Sequence, residues 1–473
     1  MRRALSDSEL ANVAADLSRE FDIHSQVEAY ARLAWTEAAA RRPTLFLEDL
    51  TGIPFISRIV GVEAYQHRAR VRAGEGDLMA AVGPRPEGDE EYCRQVLGFG
   101  NTELIHAEPV DGPMAVAKAC MHGQAKAKLI DRATRAGCLS IHPYMSIQAI
   151  WDLAAMVRDE TGVEVSVCGP PPPVLWIAND KDRLCDLASR TVGPHIISES
   201  KLEDTPEGMA RALRDLARRH DRVALKRTRC ASAMGNRVFE STDLLTCSPQ
   251  TLESRVRDFL VDTEWQDAEP VIAVVWEDAI CSPSTQLFLP PREAGPVQFD
   301  GVFEQILEGE SQVFVGSRPS RLPQPVEMSL TQASLALAGA LQHLGYIGVC
   351  SFDFLVIGDL TGDFEIRITE CNGRWGGTST PMRMVSRLVP GARPCYRAQD
   401  YMHESLTGVT FPEVLRRIGG ELFDSRTGGG RFAFYNTGCL AESGKFDVIA
   451  FGDTPEEADT AILEGLPRKL GLS

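Results

Sequence analysis

Four consecutive prolines, Pro170 to Pro173, follow Gly169. Proline holds φ at about −65° and has no amide hydrogen, so such a run suits neither a helix interior nor a central strand. A domain boundary or rigid linker is therefore expected there. Before it, strand and helix patterns alternate. Ser6-Asp7-Ser8-Glu9 reads as a capping box opening a helix. Thr44 to Leu47, Leu78 to Val82, Glu103 to Ile105 and Cys138 to Ile141 read as short strands. Ile150, Leu153, Ala154 and Val157 mark a helix by their spacing. This alternation predicts an open α/β sheet.

Beyond the prolines the pattern changes. A helix is expected from Asn179, with Asn179 as its cap and Leu184, Leu187 and Ala188 inward. A second has Thr205 as cap and Pro206 in its first turn. Strand Arg222 to Lys226, a glycine-containing turn, a further strand and a helix carrying Leu252, Val256, Phe259 and Leu260 predict a small α+β lid. From Val271 the chain is richer in strands. Gly348 to Ile357 and Phe364 to Cys371, joined through Gly358 to Gly362, read as a hairpin. Two amphipathic helical segments, Glu413 to Ile418 and Pro455 to Leu463, flank the turn Gly428-Gly429-Gly430. The expected division is 1–173, 174–270, 271–392 and 393–473.

Charge and cysteine usage exclude whole classes. Lys plus Arg number 49 against 66 Asp plus Glu, a net −17. Such an acidic chain is a poor partner for nucleic acid or an anionic membrane. The twelve cysteines form no CxxC and the nine histidines no HxH or HExxH, so zinc and iron–sulfur spacings are absent. Scattered cysteines suit a reducing cytoplasm. No signal peptide or membrane span is expected.

The chemistry concentrates in Ser351-Phe352-Asp353-Phe354 and Ile368-Thr369-Glu370-Cys371-Asn372-Gly373-Arg374. Side chains alternate along a strand, so Glu370 and Asn372 share a face, and the hairpin brings Asp353 beside them. Two carboxylates and an amide oxygen make a hard-oxygen set that suits Mg²⁺. Arg374, just beyond, could hold an anionic oxygen. The plain alternative is a polar strand end with Glu370 paired to Arg367 or Arg374. Cys371 has the opposite parity and is expected in the core. Lys181 stands at a helix start, and Lys226 ends a strand before a turn containing Ser232, Met234, Gly235 and Asn236. A small-residue turn lets amides approach phosphate oxygens. Trp375 to Ser379 reads equally as a substrate loop or an ordinary turn.

Lysine at a helix start, strand lysine with a glycine turn, Asp, then Glu-x-Asn-x-Arg, in that order over Val174 to Val389, resembles the ATP-grasp superfamily. The resemblance implies an ATP-grasp fold with an N-terminal open α/β domain, an α+β lid and a C-terminal α+β appendage. It implies ATP bound by Lys181, Lys226 and the loop Ser232, Met234, Gly235 and Asn236. It also implies two Mg²⁺ on Asp353, Glu370 and Asn372. Arg374, Glu370 and Ser232 would act on the reacting atoms. Ala273 to Asp278 looks like the hinge strand whose backbone meets adenine, through Val274 and Trp276, with Glu277 or Asp278 on the ribose. Ser351 stands where many such ligases have arginine, and Asn372-Gly373-Arg374 where Asn-Pro-Arg is usual. Ser282 to Gln286 and Gly301 to Gln305 look similar to the pheganomycin-type peptide ligases. The implied reaction joins an amino-acid-like carboxylate to an amino-acid or peptide amine through an acyl phosphate, in natural-product biosynthesis. A homodimer is compatible with it. The alternatives are a small-molecule kinase on the same fold and a non-catalytic ATP-binding regulator.

Overall fold

The computed structural model describes residues 3, 5–36, 43–230, 234–266, 269–309 and 313–472. Three sheets organise them. β1 (Thr44–Leu47), β2 (Leu78–Val82), β3 (Glu103–Ala107), β4 (Cys138–Pro143) and β5 (Glu164–Val167) form a parallel sheet in the order β3-β2-β1-β4-β5. Every β2 residue is buried, as expected of a parallel sheet covered on both faces. β6 (Ser200–Glu203), β7 (Arg222–Arg227), β8 (Asn236–Glu240) and β9 (Val271–Val275) form a small antiparallel sheet in the order β6-β9-β7-β8. The third sheet comprises β10 (Pro283–Leu289), β11 (Gln298–Glu308), β12 (Val313–Pro319), β13 (Gly348–Gly358) and β14 (Phe364–Asn372). It also takes in β15 (Cys395–Met402), β16 (Phe432–Tyr435) and β17 (Lys445–Gly452), in the order β14-β13-β10-β11-β12-β15-β17-β16. The mixed α/β architecture expected from the sequence is present. Among the described residues no helix is long and apolar enough to cross a membrane.

Several local readings change. The proline run does not exclude a helix: Pro172 and Pro173 open one over Pro172–Asn179. The first turn's amides have no intrahelical partner, so proline loses nothing there. Asn179 ends that helix instead of capping the next, and Asp180 takes the cap position of Lys181–Thr191 without a side-chain hydrogen bond. The first helix, Asp7–Glu20, does have its capping box. It packs, however, against Gln324–His343, with Leu10, Ala14 and Leu17 in one core with Val326, Leu330 and Leu337. Val271–Val275, expected at the start of the catalytic region, is a strand of the small sheet. The C-terminal strands extend the eight-stranded sheet across the β12–β15 junction, where Gly316 stands opposite Gln399.

That junction is tight. A Cβ on Gly316 would run into the carbonyl oxygen of Ala398. Overpacking of this kind costs about 1–3 kcal/mol. Gly316→Ala is expected to lower the thermal unfolding midpoint, read by calorimetry, whereas Gly420→Ala, with no atom within 4 Å of its added Cβ and no positive φ, is expected to change it little.

Candidate active site

The register of three strands assembles the polar face. Asp353 pairs with Glu370 and Ser351 with Asn372 across β13–β14, while Ser284 pairs with Asp353 and Gln286 with Ser351 across β10–β13. Directly opposed residues share a sheet face. Six polar side chains therefore look one way. Cys350, Phe352, Phe354 and Cys371 take the other face, in the core under helix Gln324–His343. Cys371 is buried as expected, and burial holds its thiol well above the ordinary range.

Two carboxylates directly opposite one another need compensation. Burial and the Glu370 charge push Asp353 up to about 7. Asn372 Nδ2 donates to Asp353 Oδ2 at 3.0 Å. Burial alone would raise Glu370 as well, but Lys181 and Arg374 outweigh it and lower its pKa. Lys181 Nζ lies 3.2 Å from Glu370 Oε2 and 3.7 Å from Cys230 Sγ. Burial disfavours the charge on Lys181, yet Cys230 and Glu370 hold its pKa above the ordinary value. Lys226 is lowered by burial and by Lys181, and its Nζ lies 5.0 Å from the centre of the Trp276 ring. The plain alternative for Glu370 misplaced its partner: the ion pair is with Lys181, while Arg367 pairs with Glu365 and, at 3.8 Å, with Glu277.

These groups line one cavity of about 450 Å³, with Lys181, Lys226, Asp353, Glu370, Asn372 and Arg374 in its wall. Asn236, opposite Lys226 on β8, also lines it, and its Oδ1 is buried without a partner. Gly235 accepts from the Arg227 amide at 2.8 Å, and a Cβ there would come within 2.6 Å of Cys230 Cβ. Met234 adjoins this turn but does not line the cavity. Ser232 lies outside the described residues.

The hinge strand differs from expectation in what it presents. The amides of Val275 and Trp276 already donate to the carbonyls of Glu199 and Arg222, each at 3.0 Å. The side chains Ile272, Val274 and Trp276 instead form an apolar patch with Ala224, and the first three line the cavity. Glu277 lines it too; the Asp278 side chain is fully exposed and does not. Gly376 to Thr380 border the same space. Asn179 escaped sequence reading: its Oδ1 accepts from the Gly373 amide at 2.7 Å, tying the segment before Lys181 to the loop that carries Arg374.

Among the described residues no three His, Cys, Asp or Glu side chains form a metal cluster. The available donor set is two carboxylates and the Asn372 amide on one face. Hard oxygens of this kind fit Mg²⁺, and a carboxyl whose charge is disfavoured by its neighbour gains from a cation.

The fold is one shared with solved ATP-grasp enzymes. The structure aligns with the ADP complex of an N5-carboxyaminoimidazole ribonucleotide synthetase at TM-score 0.53 and 12% identity, over 91% of this chain and 96% of that one. It aligns with the biotin carboxylase of Campylobacter jejuni in its β-γ-ATP complex at 0.51 and 14%, over 84% and 86%. The Staphylococcus aureus N5-carboxyaminoimidazole synthetase complexed with ADP aligns at 0.52 and 10%, over 92% and 99%. The sequence itself matches no family model and no curated protein.

Asn179→Ala would leave the buried Gly373 amide without an acceptor, a cost of about 1–3 kcal/mol. We expect a lowered unfolding midpoint in calorimetry, and Asn179→Asp, which keeps an acceptor oxygen, is expected to lose less.

Proposed function

We propose that this chain is an ATP-dependent, ADP-forming ligase joining a carboxylate to an amine. The observation that carries the reading is the convergence of Lys181, Lys226 and Arg374 on the Asp353–Glu370–Asn372 face within one cavity. The shared fold with proteins described as ADP and ATP complexes supports it.

In this reading Lys181 and Lys226 balance nucleotide phosphates, each as a point charge on a fixed element. The apolar patch of Ile272, Val274 and Trp276 receives the base, and Glu277 accepts from the ribose hydroxyls. Asn236, held beside the Gly235 turn, meets the phosphates. Asp353, Glu370 and Asn372 would hold Mg²⁺, as one ion or two, which when bound neutralises the charge developing on the transferred phosphoryl group. The acid's carboxylate oxygen attacks the γ-phosphorus and ADP leaves, giving an acyl phosphate. The neutral amine then attacks the acyl carbon, loses a proton, and phosphate leaves with the oxygen that came from the acid. Arg374 is placed to hold the acyl oxygen as it becomes an oxyanion. The finer reading, an amino-acid-like acid joined to an amino-acid or peptide amine in natural-product biosynthesis, is supported by the likeness of Ser282 to Gln286 and Gly301 to Gln305 to the pheganomycin-type ligases. A kinase on this fold would keep the phosphate in its product.

The deciding experiment places ¹⁸O in the acid and looks for it in released phosphate by mass spectrometry. Label in phosphate, with ADP formed only when acid and amine are both present, is the expected result. AMP with pyrophosphate, or phosphate retained in a product, overturns it. Glu370→Gln is expected to lower kcat by about 10²-fold or more, the scale of losing one electrostatic transition-state contact. ATP binding, measured by equilibrium dialysis, should persist through the lysines.

A further inference from the structure

The cavity does not end at Arg374. Its far end is built by the segment after β1 and by β15 and β17, through Tyr65, Arg68, Asp400, Lys445 and Asp447. A line of contacts leads there. The Arg374 guanidinium lies 5.9 Å from the centre of the Tyr144 ring, and that of Arg68 lies 5.4 Å from the same ring. Arg68 also stands 4.3 Å over the ring of Tyr65, whose hydroxyl receives Lys445 Nζ at 2.7 Å. Lys445 pairs in turn with Asp400 at 2.8 Å.

The cations at this end already have carboxylates. Arg68 pairs with Glu48 at 3.0 Å, and Lys445 with Asp400. Glu48 is shared with Arg72 at 3.1 Å, and Asp447, which forms no ion pair within 4 Å among the described residues, shares a hydrogen bond with Asp400. Asp447 is 3% exposed, and its Oδ1 has no hydrogen-bond partner among the described residues although the residue lines the cavity. It stands opposite Asp400 on β15 and opposite Tyr435 on β16. Burial and the Asp400 charge push its carboxyl well above the usual range, against the pull of Arg68 and Lys445. Asp400 keeps a side chain 37% exposed, so Asp447 is the desolvated member, and it coexists with its neighbour at low cost only with a proton or a cation between them.

We propose that Asp447 and Asp400 form a subsite for an organic cation, an ammonium or guanidinium group that a substrate carries at a distance from its reacting carboxylate. The inference rests on the ligase reading and names the substrate class of that site. The nucleophilic amine must reach the acyl carbon beside Arg374 uncharged, so the cation held at Asp447 is a different, non-reacting group. Four side chains, Tyr144, Arg68, Tyr65 and Lys445, separate Arg374 from Asp400 along the contact line. Ile53, Ile56 and Ile59 border the same cavity and offer apolar surface for a methylene chain between the two ends. A bound cation replaces the proton on Asp447, so affinity rises with pH.

The test uses the full chain and two probes that share a carboxylate and differ in one charge, Nα-acetyllysine and Nα-acetylnorleucine, by isothermal calorimetry without nucleotide. The lysine derivative is expected to bind about tenfold more tightly, the scale of one charge-assisted hydrogen bond, and to release protons on binding. Asp447→Asn should erase the preference, with Nα-acetylnorleucine affinity reporting that the variant is folded. Equal affinities in the unaltered protein, or a preference that survives Asp447→Asn, overturn the subsite. The ¹⁸O experiment bears on the ligase reading separately. Label transfer without a cation preference sinks the subsite and keeps the ligase, whereas a preference without ADP formation does the reverse.

Discussion

Asp353 and Glu370 face each other from neighbouring strands, Asp353 buried and Glu370 about a third exposed, and the pair is charged at low cost only with cations beside it. None is supplied by the hairpin itself. Lys181 arrives at the start of a helix, Lys226 from the small sheet, and Arg374 from the loop past the end of β14. The carboxylate pair thus depends on several separately built elements meeting at one place. Lys181 is buried at a cost that Cys230 and Glu370 offset, whereas Lys226 stays lowered. Removing one member of such an arrangement leaves a charge stranded, which is more damaging than the arrangement is stabilising.

The short helix Pro172–Asn179 explains how the meeting is held. Its first turn tolerates prolines, and its apolar residues divide between two cores, Leu175 against the parallel sheet and Val174, Ile177 and Ala178 under the large one. Asn179 at its end accepts from Gly373, and Lys181 follows two residues later. Gly373 has little room, since an added Cβ would sit 3.0 Å from the Tyr346 hydroxyl and 3.1 Å from Asn179 Nδ2. Lysine and arginine are therefore referenced to one another through one hydrogen bond, from the Gly373 amide to the Asn179 side chain.

What could be read in the sequence was local and periodic. Strand alternation placed Glu370 and Asn372 on one face and Cys371 on the other, and the short turn at Gly358 to Gly362 brought Asp353 within register. Ser6 and Thr205 were legible as caps because the side chain and its amide are three residues apart. What was not legible depends on distant partners. Nothing near Asp7–Glu20 says that its apolar stripe belongs under Gln324–His343. Asn179 looked like a cap because the chemistry that suits a cap also suits any free amide, and here the amide is Gly373's. Val271–Val275 reads as a strand in any sheet; its neighbours β6 and β7 decide which.

The two ends of the cavity use the same device to opposite effect. Each has a pair of carboxylates opposed across neighbouring strands, Asp353 with Glu370 and Asp400 with Asp447. At the first, Lys181, Lys226 and Arg374 surround the pair, so added negative charge from phosphate or carboxylate is met by donors. At the second, Lys445 is already committed to Asp400, and Asp447 keeps an unsatisfied oxygen. An overall charge of −17 does not decide either end, because exposed charges farther off than about 10 Å are largely screened at ordinary salt. The cavity's field is set by its own walls, cations gathering round Asp353 and Glu370 at one end and Asp400 and Asp447 standing beside Lys445 at the other.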